Sequence, residues 1–419
     1  MNSRPRSILG CPRFLAPLLF ARLLCAAGTL MVEPYLVLRL SREFGLSAAS
    51  SVALAGAVVV GGRLFAQPFG RLADRWPDLR LARGATVVAA SSCALLATRG
   101  DWRIALLACA GLCLAGAAFW VVLRAQLLRG VGEHEATLCF SWLSASFNLG
   151  TFAGGAIGGV MLARDTPAYL LPIACALHVA AGVALSLHTV TTLPLQPTVR
   201  GGPAVEHEAS GPGVSPRMPL RPFLWSSALV GYLTTTVILV LAIDCVRRLH
   251  ESAYTAVFFC TQAVALGALL PLAGNAMRAF TPRRLASAYF CGVLAAAVGC
   301  AAFGAIPSNR SGLAVAVLAV GFALSQLLAM PSLDPLLGRV VVRQQVGQAL
   351  GATTTAMGWG SLVACAIDAL ALECLPVTLY GWIWLLPGTA GAVVGATAMR
   401  STLRCLDNSP APPRAAAPR

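Results

Sequence analysis

Gly70-Arg71-Leu72-Ala73-Asp74-Arg75 is a short charged island between two apolar runs, 47–69 before it and 84–99 after it. Each run approaches the ~20 apolar residues that carry an α-helix across a hydrocarbon core about 30 Å thick. Charges confined to so short a break read as a turn at a membrane surface, where they stay hydrated while the flanking residues do not. The stretch predicts two membrane-spanning helices joined by a charged loop, and the rest of the chain repeats the pattern.

Runs near 14–38, 102–125, 136–162 and 167–188 complete six spans, and runs near 222–245, 253–276, 285–306, 312–337, 348–372 and 377–400 supply six more. Composition agrees: the 419 residues are 57% hydrophobic and 11% charged, where soluble domains carry about 25% charged residues. Mean hydropathy is +0.75. The predicted class is therefore all-α integral membrane, with about twelve transmembrane helices in two six-helix halves. The N-terminal half is 1–188 and the C-terminal half 222–400. Between them, 189–221 is rich in Pro and Gly and too poor in apolar surface to offset the entropy of ordering, so it reads as a cytoplasmic linker. Residues 401–419, with Pro410-Ala411-Pro412-Pro413, read as a disordered tail.

Every basic residue is Arg. With alternate loops assigned to opposite sides, 21 Arg fall on the side of the termini and 8 on the other. That bias predicts both termini, and the Asp74 loop with them, in the cytoplasm of a multi-pass plasma-membrane protein.

The net charge of +15 does not imply nucleic acid, because the Arg residues stand in short clusters between spans with no aromatic-interleaved basic face. The Cys residues lie mostly singly within apolar runs and read as small hydrophobes, so no metal and no disulfide framework is expected. Arg4, Arg6 and Arg13 precede an apolar run that continues to Leu40, which suits an uncleaved first helix better than a signal peptide. A chain without Lys has no Walker-type phosphate loop, and the five His are scattered, so neither ATP-driven transport nor an enzyme is expected and no cofactor is implied.

The island also resembles the signature loop of the major facilitator superfamily, matching it in sequence and in its place after the second span. Trp76-Pro77-Asp78 interrupts the family pattern before Arg80 and Arg83. In span five, Gly150-Thr151-Phe152-Ala153-Gly154-Gly155-Ala156-Ile157-Gly158-Gly159 resembles the antiporter motif of drug–proton exchangers, with Gly155 where the family has Pro. Glycines at that spacing let helices approach backbone to backbone. Such exchangers carry an Arg midway along span four; here 109–116 supplies none, and Arg124 lies nearer the cytoplasmic end.

Ionisable groups at bilayer depth are costly, so they normally face a cavity or a partner. Arg22 and Glu33 in span one are separated by eleven residues, which returns them to within roughly 20° on one helix face, about 16 Å apart. With Trp120 in span four, Tyr232 in span seven and Gln326 in span ten, they form the predicted substrate and proton pathway. Gly70, Asp74 and Arg75 form the predicted gating loop, and Gly150, Gly154, Gly155, Gly158 and Gly159 a helix-packing motif. Asp244, Asp334 and Asp368 are expected at interfaces or gates, the first and last toward the outer face.

The resemblance implies a secondary carrier, expected as a monomer in the lipid bilayer, that exports a small-molecule substrate in exchange for protons. An uptake carrier of the same fold is one alternative. A carrier-like sensor or scaffold is another, disfavoured because a scaffold need not keep Arg22 and Glu33 within a span.

Overall fold

Hydrocarbon offers no water to peptide groups, so each apolar run closes its hydrogen bonds within itself as a helix. The computed structural model describes residues 15–42, 56, 60–76, 79–98, 102–131, 133–163, 169–190, 220–251, 253–341 and 345–407. Among them lie twelve α-helices, six in each half. The N-terminal half holds α1 (Ala16–Arg42), α2 (Ala66–Arg75), α3 (Arg80–Ala97), α4 (Trp102–Gly130), α5 (Glu133–Ala163) and α6 (Leu170–Val190). The C-terminal half holds α7 (Arg221–Arg247), α8 (Ala253–Met277), α9 (Pro282–Ala305), α10 (Ser311–Val340), α11 (Val346–Cys374) and α12 (Gly381–Asp407). Among the described residues eight helices are long and apolar enough to cross a membrane: α4 and α6 to α12.

Most of the linker, 191–219, lies outside the described residues, as do 408–419. The tail is shorter than its composition suggested, because α12 continues through Ser401–Asp407. Thr402 is fully buried there, Leu403 and Leu406 pack on the core, and Arg404 in the last turn suits the negative end of the helix dipole. At the start of α9, the Thr281 hydroxyl accepts from the Arg284 N–H at 3.4 Å and Pro282 takes the first turn, the residue types that begin a helix.

Within the first half α1 packs on α5 and α6, and α3 on α4 and α6; within the second, α9 packs on α10 and α12, and α7 on α11. The halves meet where α2 lies on α11 and α5 on α8. Large apolar side chains such as Leu107, Leu187, Trp225 and Val393 point outward, 61–68% exposed. Such a surface is stable against lipid and unstable in water.

Candidate functional site

The charged island forms the last turn and a half of α2. Asp74 accepts from the backbone N–H groups of Gly347 and Gln348, both at 2.8 Å, in the first turn of α11. Those donors have no acceptor within their own helix and carry the positive end of its dipole. The same carboxylate pairs with Arg129 at the end of α4, and Arg129 also donates to the Ala73 carbonyl at 2.8 Å. Asp74 therefore fastens the two halves together. Gly70 makes the approach possible: a Cβ there would strike the Gly347 carbonyl oxygen, and one at Gly347 would meet Asp74 Oδ1 at 2.7 Å. Arg75 is exposed beside the contact.

Deeper in, Arg124 of α4 is 5% exposed and grips Asp334 of α10, itself 4% exposed. Its Nε donates to Asp334 Oδ2 at 2.7 Å, Nη2 pairs with Oδ1, and Nη1 donates to Thr354 Oγ1 of α11 at 3.1 Å. Arg124 is thus held between the halves, not at a membrane surface. Asp334 is its partner across them. A third contact joins Glu135 at the start of α5 to Arg278 just after α8, at 3.8 Å.

Further along the contact with α11, Arg63 Nη1, just before α2, donates to Ser361 Oγ at 3.0 Å, and the Gln67 N–H of α2 donates to Thr355 Oγ1 at 3.1 Å. These polar contacts between halves lie from the motif end to mid-span. The molecule is closed at the end that carries Asp74.

Near mid-span, the Arg22 guanidinium lies 4.1 Å from the Trp120 ring centroid and 4.3 Å from that of Phe147, both within cation–π range. Arg124 approaches the same Trp120 ring at 4.9 Å. Arg22 is half-buried within the bundle. Its Nε has no hydrogen-bond partner. The structure therefore brings Arg22 and Trp120 together and adds Phe147, which the sequence did not single out. Tyr232 and Gln326 are half-buried on α7 and α10. Glu33 is on α1, but its side chain lies outside the described residues.

The glycines of α5 divide. Gly150 and Gly154 meet the α1 backbone at Leu23 and Ala27, where a Cβ would collide with carbonyl oxygens, and Gly158 is in ordinary contact with Met31. Gly155 faces away and is exposed, and a Cβ there would meet nothing. Every fourth residue returns to one helix face, so 150, 154 and 158 share the α1 contact while 155 cannot. The surroundings of Gly159 lie outside the described residues.

Two further acids differ sharply. Asp244, fully buried near the end of α7, accepts from Arg248 at 2.7–3.0 Å and from Trp384 Nε1 at 3.1 Å. Asp368 of α11 is 2% exposed and has no cation beside it. It faces Tyr232 and Thr236, the middle of α7, so it lies deeper than the outer face expected from its place in α11.

Sequence reasoning missed Arg129, Gly347 and the role of Arg124 with Asp334. Gly347 and Gly351 form a small-xxx-small pair on α11, and a span-embedded Arg and Asp of opposite sign were visible as possible partners. Which pairs meet across the halves is set by tertiary packing alone.

Residues 18–410 match the family profile described as Major Facilitator Superfamily. No curated relative matches by sequence. The human organic anion transporter MFSD10 (TETRAN) superposes with TM-score 0.64 at 16% identity, over 93% of this chain and 99% of that one. A bacterial homologue of the iron transporter ferroportin in an outward-facing state superposes with TM-score 0.69 at 14% identity, over 94% of this chain and 100% of that one. The same homologue soaked with iron gives TM-score 0.69 at 13% identity, over 92% and 99%. At these identities the likeness is one of fold.

Proposed function

This chain belongs to the major facilitator superfamily, and we propose that it is a proton-coupled carrier exporting a small organic compound across a plasma membrane. The observation that carries the reading is the lock: Asp74 on the α11 N-terminus, and Arg124 on Asp334, close one end between the halves. A carrier alternates access by rocking one half against the other about a central site, and a closure made of breakable polar contacts is what such a cycle opens. A buried ion pair alone is a poor device for stability, since hydrophobic replacements are often as stable.

The Arg distribution supports a cytoplasmic motif end with both termini on that side, so the closed end faces inward. The α5 glycines on α1 and the antiporter-like spacing support exchange and export. The chain is expected to work as a monomer. Substrate class is supported by Arg22: a buried cation held against the Trp120 and Phe147 rings keeps N–H groups to offer an anionic group. The human structural relative is an organic anion transporter, which is in keeping with that reading.

The test is reconstitution of the full chain in vesicles with a carboxylated xanthene dye as probe and an imposed pH gradient. Dye movement should follow the gradient and fall sharply in the Arg22→Ala variant. Equal dye flux in protein-free vesicles and in vesicles holding the carrier would remove the reading.

A further inference from the structure

We infer that Asp368 is the proton-carrying carboxylate of the transport cycle. The inference rests on the reading of the chain as a proton-exchanging carrier and assigns that exchange to a site outside the Arg22–Trp120 wall.

The other acids with described side chains set the contrast. Asp74 pairs with Arg129 and the α11 N-terminus, Asp334 with Arg124, Asp244 with Arg248 and Trp384, and Glu135 with Arg278. Glu251 and Glu373 are exposed. Asp368 is buried without a cation and faces only the hydroxyls of Tyr232 and Thr236. An ionised carboxylate left unpaired in an apolar interior is so costly that it takes up a proton instead. An acid at bilayer depth that keeps no structural partner marks a pathway for ions or protons.

The groups around it suit both charge states. From α7 it faces the hydroxyls of Tyr232 and Thr236; from α9 it faces the Cys300 thiol, and Cys365 lies one turn away on its own helix. Arg63, just before α2, is bonded to Ser361, two turns closer to the lock. Protonated, Asp368 donates one O–H to a hydroxyl oxygen. Deprotonated, it accepts from both hydroxyls, which draws α7 and α11 together. The step is proton binding and release alone: a proton from one aqueous side forms the carboxyl O–H, and breaking that bond returns it to the other. Tyr232, partly exposed, is the neighbour of the buried acid that reaches toward accessible surface.

The direct test is infrared titration of the purified full chain in lipid nanodiscs. Wild type should show a protonated-carboxyl C=O band that disappears reversibly as pH is raised. Asp368→Asn should remove that titrating band, and Asp368→Glu should restore it at a shifted frequency. If Asp368→Asn does not fold, the Asp368→Glu shift decides the matter alone. A titrating band that survives Asp368→Asn, a band unshifted in Asp368→Glu, or a wild-type band that never titrates overturns the assignment. In dye-loaded vesicles, Asp368→Asn should lose pH-driven accumulation down to the level of protein-free vesicles. A titrating band in a wild type whose transport ignores pH would instead sink proton exchange itself, and the coupling role with it.

Discussion

Asp74→Asn removes a charge from a site where three donors converge: Arg129, the Gly347 N–H and the Gln348 N–H. The amide keeps one acceptor oxygen and turns an NH2 group toward donors that have nothing to accept. Hydrogen bonds to a charged group are worth about 1.5–3 kcal/mol and neutral ones about 1 kcal/mol, so three weakened or lost contacts total roughly 3 kcal/mol. The Asp74 side chain is 14% exposed, and screening lowers the figure to about 2–3 kcal/mol. Since 1.4 kcal/mol is tenfold, the closed state should lose roughly 30- to 150-fold in population relative to the open one.

Hydrogen–deuterium exchange in nanodiscs reads this away from the mutation. The start of α5 and the end of α8 face each other through Glu135 and Arg278 and do not touch Asp74. Their amides should exchange faster in Asp74→Asn, together with the first turn of α11. If only that first turn responds, Asp74 is a local helix cap and the two-sided lock is wrong.

Arg124→Ala leaves Asp334 buried without its cation, a change that typically costs about 3–5 kcal/mol; it should open the same end further than Asp74→Asn and lower the melting temperature in detergent. Arg22→Lys keeps the charge but loses the planar guanidinium that approaches both Trp120 and Phe147, so dye affinity should fall while expression stays normal. A fluorescent reporter active only in cytoplasm, fused after Arg404, should be bright, and a dark fusion there with a bright one at Arg247 would reverse the orientation. Glu33→Gln should leave pH-driven dye accumulation intact, because the proton is assigned to Asp368; loss of accumulation in Glu33→Gln alone would move the site to α1.

Much of the fold was legible because membrane spans are written in composition: a run of apolar residues admits one local answer in lipid. The charged island at Asp74 was legible as a break between spans because a cluster of charges favours water over hydrocarbon. The partners were not. Arg124 and Asp334 are 210 residues apart, and no periodicity in either span says that α4 will face α10. Asp368 looked interfacial because it lies a few residues from the end of α11, but depth depends on what the helix packs against, here the middle of α7. Gly155 belonged to the glycine pattern yet faces away from α1, since spacing alone does not choose the helix face that meets a neighbour.

The lock and the proposed proton site share one helix, and this joins them mechanically. The first turn of α11 caps onto Asp74, Thr354 binds Arg124, Ser361 binds Arg63, and Asp368 faces α7. Between lock and acid, α11 and α7 touch backbone to backbone, with Gly231 on Met357 and Gly360 on Ala228 leaving no room for a Cβ. A contact so close tolerates pivoting better than translation, because packed interiors switch between discrete arrangements more readily than they deform. Drawing α7 onto α11 at Asp368 when the proton leaves therefore tilts α11 about that pivot and moves its first turn relative to Asp74. Protonation and opening then bias one two-state element from its two ends, which is the physical requirement for coupling. Enlarging the pivot tests the linkage: Gly360→Ala should leave the Asp368 infrared band titrating but uncouple it from exchange at the motif end. If α5 and α8 still exchange faster with pH as in wild type, α11 is not the lever.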